Sequence, residues 1–328
     1  MFGFSQQFKK VFLSPEEKPK HALTQKHKQQ SFGFSNMHKE TLLIILILLL
    51  GIKSKSQTLF SQNAEALGYN IALNGLIGGI GCLVNKPGKH KWPRTFLKGC
   101  LLGGGGGVVA YGGKRFYGAI TGKTPMAFAW AGKITHALGC SMTENVAKGD
   151  KVFSHVYLDF GPARIDVVTA QPHKTKVRLL PFATRSAVVL LSNGYDLSLK
   201  KSLAYGALYF EHDGFVGSAN YHGYAIANSI AINELNQFDK KLTIAHELVH
   251  TLQYREYLSF NTFLLKPRNK AIEKWKLLRQ IDKYLYVDFP YYTLFYNIIG
   301  VKNTNCYYNN FFEFEAQLFS TRKLVPRC

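Results

Sequence analysis

The sequence predicts an α+β fold: helices first, then short, mainly antiparallel strands, then helices again. Three observations carry that reading. Residues 57 to about 150 are dominated by Gly, Ala and aliphatic side chains in long runs. Between about 151 and 235 the texture changes to short runs of strand-forming residues separated by Gly, Pro and Asn-Gly. After residue 239 apolar residues recur at helical spacing, and no Gly or Pro interrupts residues 240 to 264.

The first 36 residues are polar and include Lys9, Lys10, Lys18, Lys20, Lys26 and Lys28. Residues 37 to 56 have a short basic start at Met37, an apolar stretch from Leu42 to Ile52, and the small-x-small end Ser54-Lys55-Ser56. Those are the three parts of a secretory signal peptide. The apolar stretch would rise only about 16 Å as a helix, against about 30 Å for a bilayer core, so a cleaved signal is expected rather than an anchor. Translation is expected to begin at Met37, with residues 1 to 36 an over-extended start and an exported chain of periplasm or cell envelope as the product.

In the Gly-rich helical part, residues 70 to 84 and 96 to 111 are the most apolar runs. Gly75 and Gly79, Gly99 and Gly103, and Gly118 and Gly122 recur at four-residue spacing, which lets helices approach closely. The run from Gly103 to Gly107 costs helix propensity of about 1 kcal/mol per residue relative to Ala, so packing or an apolar environment has to offset it. Neither run reaches about 18 apolar residues, which favours a helical layer packed on the sheet over a membrane hairpin.

Strands are expected at 156–160, 164–169, 176–180, 187–191 and 204–210, with a turn at Asn193-Gly194. Residues 222 to 232 alternate larger and smaller side chains and read as one further strand. Beyond the helix at 240–264, Ile272, Trp275, Leu278, Ile281 and Leu285 form the apolar side of a second helix whose other side is cationic. Residues 309 to 320 read as a third. Residues 151 to 328 are expected to form the domain that carries these strands and helices, continuous with the helical part at 57–150.

Within the 240–264 helix lies His246-Glu-Leu-Val-His250. Two imidazoles four residues apart share a helical face and can bind one metal ion, while Glu247 is placed to act on a water without ligating. That is the arrangement of a zinc hydrolase. A catalytic zinc normally takes three protein ligands and keeps a fourth position open, so another donor is required. The apolar run around Glu313 and Glu315 is the best source, because a bare carboxylate there would be costly without a partner. Two residues apart on a helix, these carboxylates cannot face the same way.

Over about residues 220 to 325 the chain resembles the gluzincin metallopeptidases, in which His-Glu-x-x-His is followed several dozen residues later by a glutamate ligand on a second helix. Glu313-Phe-Glu-Ala316 is similar to their Glu-x-x-Ala-Asp signature, with Gln317 where those families often carry Asp. The resemblance implies a zincin-like catalytic part, a small, mainly antiparallel sheet packed on an active-site helix. It also implies one zinc held by His246, His250 and Glu313, with Glu315 as the fallback, Glu247 as general base, and a peptide substrate docked along the strand before the active-site helix. The Gln317 departure bears on a hydrogen bond behind the ligands. Tyr254, Tyr257, Tyr307 and Tyr308 are all near enough in sequence to serve the oxyanion, and none stands out.

The whole chain carries a formal charge of +21, and without residues 1 to 56 it keeps +15. Such an excess favours anionic surfaces, with envelope lipid or polysaccharide ahead of nucleic acid for an exported chain, and no nucleic-acid motif is present. The five cysteines leave at least one without an intrachain partner, and none forms Cys-x-x-Cys. A competing function is an envelope structural or interaction protein in which a non-catalytic zinc site only holds the fold.

Overall fold

Three long helices open the structure: α1 (Leu59–Asn85), α2 (Trp92–Arg115) and α3 (Pro125–Lys148). This computed structural model describes residues 58–85, 91–169, 174–214, 221–235, 239–300 and 307–326. The expected over-extended start and signal peptide, and Cys306 and Cys328, lie outside the described residues, as do residues 86–90 between the first two helices.

The glycine spacing brings α1 and α2 together at Gly75, Gly79, Gly99 and Gly103 as the sequence predicts, whereas Gly118 lies in a 3-10 turn and Gly122 beyond it, so that pair joins no two helices. The helices α1 and α2 cross so closely that a Cβ at Gly99 would lie 2.6 Å from the Gly78 carbonyl oxygen, and one at Gly107 would lie 2.2 Å from that of Asn70. The run Gly103 to Gly107 is helical throughout, so backbone-to-backbone packing offsets its propensity cost. Among the described residues α1 alone is long and apolar enough to cross a bilayer, and half of its most apolar window is buried within the fold. Helix α3, bounded by Pro125 at its start and left-handed Gly149 at its end, was not anticipated as a separate element.

The strands form two small sheets. One is the meander β1 (His155–Phe160), β2 (Ala163–Val168) and β3 (Lys174–Leu179). The other has the order β4 (Asp196–Leu197), β5 (Leu208–His212), β7 (Ser229–Asn233), β6 (Gly223–Ile226), with only the β5–β7 pairing parallel. The fold is therefore α+β with mainly antiparallel pairing.

Three strand expectations need correction. Residues 187–191 belong to helix α4 (Pro181–Ser192): Ala183, Ala187 and Leu190 are buried at helical spacing while Val188 and Val189 face out. The β-branched pair suggested a strand, but Pro181 at the first turn and the burial period decide for helix. Residues 204–210 are divided between the end of helix α5 (Leu199–Tyr205) and β5 by Gly206, whose φ of +72° caps the helix. Residues 222–232 are a hairpin, turning at Ala227 (φ +52°) and Asn228. Neither Gly nor Pro marks the reversal, and the size alternation in the sequence runs unbroken through it, so the segment reads as one strand although the turn pairs Ile226 with Ser229.

Helix α6 (Lys240–Tyr257) runs through the centre and continues as a 3-10 segment, Leu258–Leu264. Its Ala245, Leu248, Val249 and Leu252 pack with Tyr209, Ile230 and Ile232 of the second sheet and with Phe314, Leu318 and Phe319 of α10 (Phe311–Thr321). The expected helix at 266–285 is broken at Trp275, whose backbone is extended, into α7 (Leu265–Lys274) and α8 (Lys276–Tyr284). Helix α9 (Tyr291–Gly300) precedes α10.

Candidate metal centre

The spacing of His246 and His250 on α6 puts one imidazole above the other, and their Nε2 atoms stand 3.2 Å apart. Helix α10 starts against them. Asn310 caps it by accepting from the Phe312 amide at 3.0 Å, which sets Glu313 in the first turn, where a carboxylate suits the helix dipole. Glu313 Oε2 lies 3.0 Å from His246 Nε2 and 3.4 Å from His250 Nε2. His246, His250 and Glu313 are the one cluster of three such donors among the described residues, their ligand atoms within 4.8 Å of one another.

The triangle of donor atoms fits a small tetrahedral cation. Ligands about 2.0–2.1 Å from such an ion stand about 3.3–3.4 Å apart, close to the three separations observed. The donor set, two imidazoles and one carboxylate, suits a divalent cation of borderline softness.

Behind the ligands, hydrogen bonds orient His250 and Glu313. Gln253 donates its amide to the Phe312 carbonyl at 3.1 Å and to Glu315 Oε2 at 2.8 Å, so its Oε1 must face His250. That oxygen lies 2.7 Å from His250 Nδ1 and can only accept. Nδ1 therefore carries a proton, which leaves Nε2 as the nitrogen turned into the triangle and able to ligate. Tyr292 also donates to Gln253 Oε1, at 3.2 Å, and Tyr296 donates to Glu313 Oε1 at 2.7 Å. Orientation of His250 thus falls to Gln253 on α6 itself, not to a side chain at 317.

Glu315 points the other way. It sits in a fully buried cluster in which Lys114 Nζ of α2 is 2.9 Å from Glu315 Oε2 and 2.6 Å from Glu256 Oε2, and Asn70 of α1 donates to Glu315 Oε1 at 2.6 Å. Of the two carboxylates, Glu313 alone meets the histidines. Asn70, Lys114, Glu315, Gln253 and His250 form one hydrogen-bonded chain from the glycine-rich helices to the site.

The electrostatics of the triad call for positive charge at its centre. Burial opposes ionisation of Glu313, yet the two imidazoles hold its carboxyl well below the usual range. Burial likewise opposes charge on His250, and the Glu313 carboxylate overrides it, pushing the imidazole up to about 9. Glu247 is buried beside the triad, and burial raises its carboxyl above the ordinary value. Strand β6 passes directly over it: a Cβ at Gly223 would lie 2.9 Å from Glu247 Oε1. The strand is the outer member of its sheet.

Of the tyrosines near the motif, Tyr254 donates to Asp288 at 2.7 Å and Tyr257 bonds Tyr69, so both hydroxyls are engaged elsewhere. Tyr307 hydrogen-bonds Glu313, and burial raises its hydroxyl pKa far above the ordinary range. Tyr292, Tyr296, Gln253 and Lys114 were not found by sequence reasoning. A signal existed only for Lys114, the first charged side chain after the glycine run. The chain matches no protein-family model, no curated protein and no solved structure.

Proposed function

We propose that this protein is a zinc-dependent metallopeptidase with the gluzincin arrangement, His246, His250 and Glu313 holding one zinc per chain. The observation that carries the reading is the convergence of Nε2, Nε2 and Oε2 at 3.0–3.4 Å on a buried face shared by two helices. When bound, zinc would acidify a water and polarise the scissile carbonyl. Glu247 takes the proton from the attacking water onto its carboxylate and passes it to the leaving amide nitrogen; its raised pKa improves the match to neutral pH for both transfers. Gln253 and Tyr296 hold the ligands in place, so little reorganisation accompanies the reaction. The outer edge of β6, with Gly223 against Glu247, offers main-chain hydrogen bonds to an extended peptide, which gives loose sequence preference. Exported location and action on envelope or extracellular protein belong to the same proposal.

The purified chain is expected to carry one zinc and to cleave unstructured peptides in a chelator-sensitive manner. Glu247→Gln should retain the metal and lose at least about 100-fold in turnover. Cleavage by that variant at the parental rate would refute the role of Glu247, and a metal-free parent would refute the site.

A further inference from the structure

We propose that α7 and α8 form a membrane-surface element, with α8 laying its apolar side into an anionic lipid bilayer. Neither helix buries a single residue. On α8, Leu277, Leu278, Ile281 and Tyr284 occupy one face at i, i+1, i+4 and i+7, and Trp275 stands at its start. All five face solvent: Trp275 is 57% exposed, Leu277 69% and Tyr284 68%. Lys276, Arg279 and Lys283 project from the opposite side of the helix. Between Leu265 and Tyr284 there are seven Lys or Arg and two acidic residues.

Charge complementarity selects the partner. A stretch this cationic requires a surface dense in negative charge, and the apolar face must be covered at the same time. An anionic bilayer meets both needs, because Trp and Tyr suit the headgroup boundary while the lysine stems reach back to the phosphates. Protein interfaces, in contrast, are depleted in lysine. The element is held to the body of the fold just beyond α8, where the Tyr286 amide donates to the Leu179 carbonyl at 2.8 Å, and an Arg268–Asp282 ion pair links α7 to α8. This inference is independent of the zinc reading.

The test uses the full chain with Trp92→Phe and Trp130→Phe, leaving Trp275 as the only tryptophan. Vesicles of phosphatidylcholine and phosphatidylglycerol in about equal parts, brominated on the acyl chains, should quench its fluorescence at least about twofold, and vesicles of phosphatidylcholine alone should not. Leu277→Asp with Ile281→Asp should weaken the effect about tenfold or more in lipid concentration. In the unsubstituted chain, amides of residues 265–284 should gain exchange protection on the anionic vesicles only. Absence of quenching and protection, equal quenching by neutral vesicles, or quenching unchanged by the two Asp substitutions would each overturn the proposal. Self-association abolished by those substitutions, without quenching, would assign the face to a protein contact and overturn it as well.

Discussion

Glu313 and Glu315 stand two residues apart on one helix and serve opposite faces of it. About 200° separates their side chains, so when one reaches the histidines the other must enter the core. The cost of burying Glu315 is offset by Lys114, Asn70 and Gln253, which together donate to both of its oxygens. Exchanging each in turn separates their roles. Glu313→Gln should leave the fold intact and lower zinc affinity by more than about 100-fold, beyond the effect of losing an outer partner. Glu315→Gln should keep one zinc per chain and cost about 1–3 kcal/mol of stability, read from urea unfolding, as a buried charge-assisted bond is weakened. Gln253→Leu is the intermediate case: removing the acceptor for His250 Nδ1 should cost about 10–100-fold in metal affinity, and removing the donor to buried Glu315 and the Phe312 carbonyl should cost about 1–3 kcal/mol of stability as well. Metal titration against a competing chelator checks all three, and equal zinc loss in the Glu313 and Glu315 variants would contradict the assignment. The two histidines and Glu247 were legible because helical spacing alone brings them together. The choice of Glu313 over Glu315 needed the resemblance, and Tyr296 was illegible because nothing in a tyrosine-rich sequence says which chain segment returns to the site.

At the scale of elements, the glycine-rich helices give the sharpest contrast between a residue that is needed and one that is not. Gly107 lies where a Cβ would meet the Asn70 carbonyl at 2.2 Å, whereas Gly105, two residues earlier on the same helix, has nothing within 4 Å of that position. Gly107→Ala must push α1 and α2 apart and should destabilise by about 1–3 kcal/mol. Gly105→Ala relieves only the helix-propensity cost and should stabilise by up to about 1 kcal/mol. Chemical unfolding of the two variants beside the parent checks this, and a shift of the same sign in both would refute the close-packing account. The same contrast shows what patterns could and could not reveal. Small-residue spacing forecast the tight α1–α2 crossing, since backbone approach depends on the absence of side chains. The 187–191 helix was misread because its Val-Val-Leu-Leu run scores as strand locally, and burial of Ala187 and Leu190 against Leu208, Phe210 and Ala231 of the second sheet overrides that preference. The turn at Ala227-Asn228 escaped because neither Gly nor Pro marks it and the alternation of large and small residues in the sequence runs on through it.

Across the whole molecule, the α+β order of helices, strands and helices was legible from changes in residue texture, but the joint between the helical layer and the sheet-bearing part was not. That joint is polar. Glu144 of α3 meets Arg164 of β2 at 2.8 Å and Arg255 of α6 at 2.6 Å, all three buried, and Lys114 binds Glu256 and Glu315 nearby. Pairing at such distances in sequence leaves no periodic trace. Among these charges sits His136, fully buried on α3 within reach of Cys140 and facing Lys114, Arg255 and Lys133. Burial first, and then the three neighbouring cations, hold its imidazole well below the ordinary 6.5. The unfolded chain therefore binds a proton near pH 6 that the folded chain refuses, so stability falls as pH drops through about 6.5. Between pH 7.5 and 5.5 this one group should cost about 1.4 kcal/mol. Glu144 acts in the same direction in a lower window: burial raises its carboxyl, the guanidiniums of Arg164 and Arg255 depress it further, and its contribution is lost only below its ordinary 4.5. Urea unfolding at the two pH values should show His136→Gln losing less stability than the parent by about that 1.4 kcal/mol, with the metal-site histidines contributing equally to both chains. If the parent and His136→Gln lost the same amount, the imidazole would have to be protonated within the core, and the cationic surroundings of α3 could not be as tightly packed as they stand.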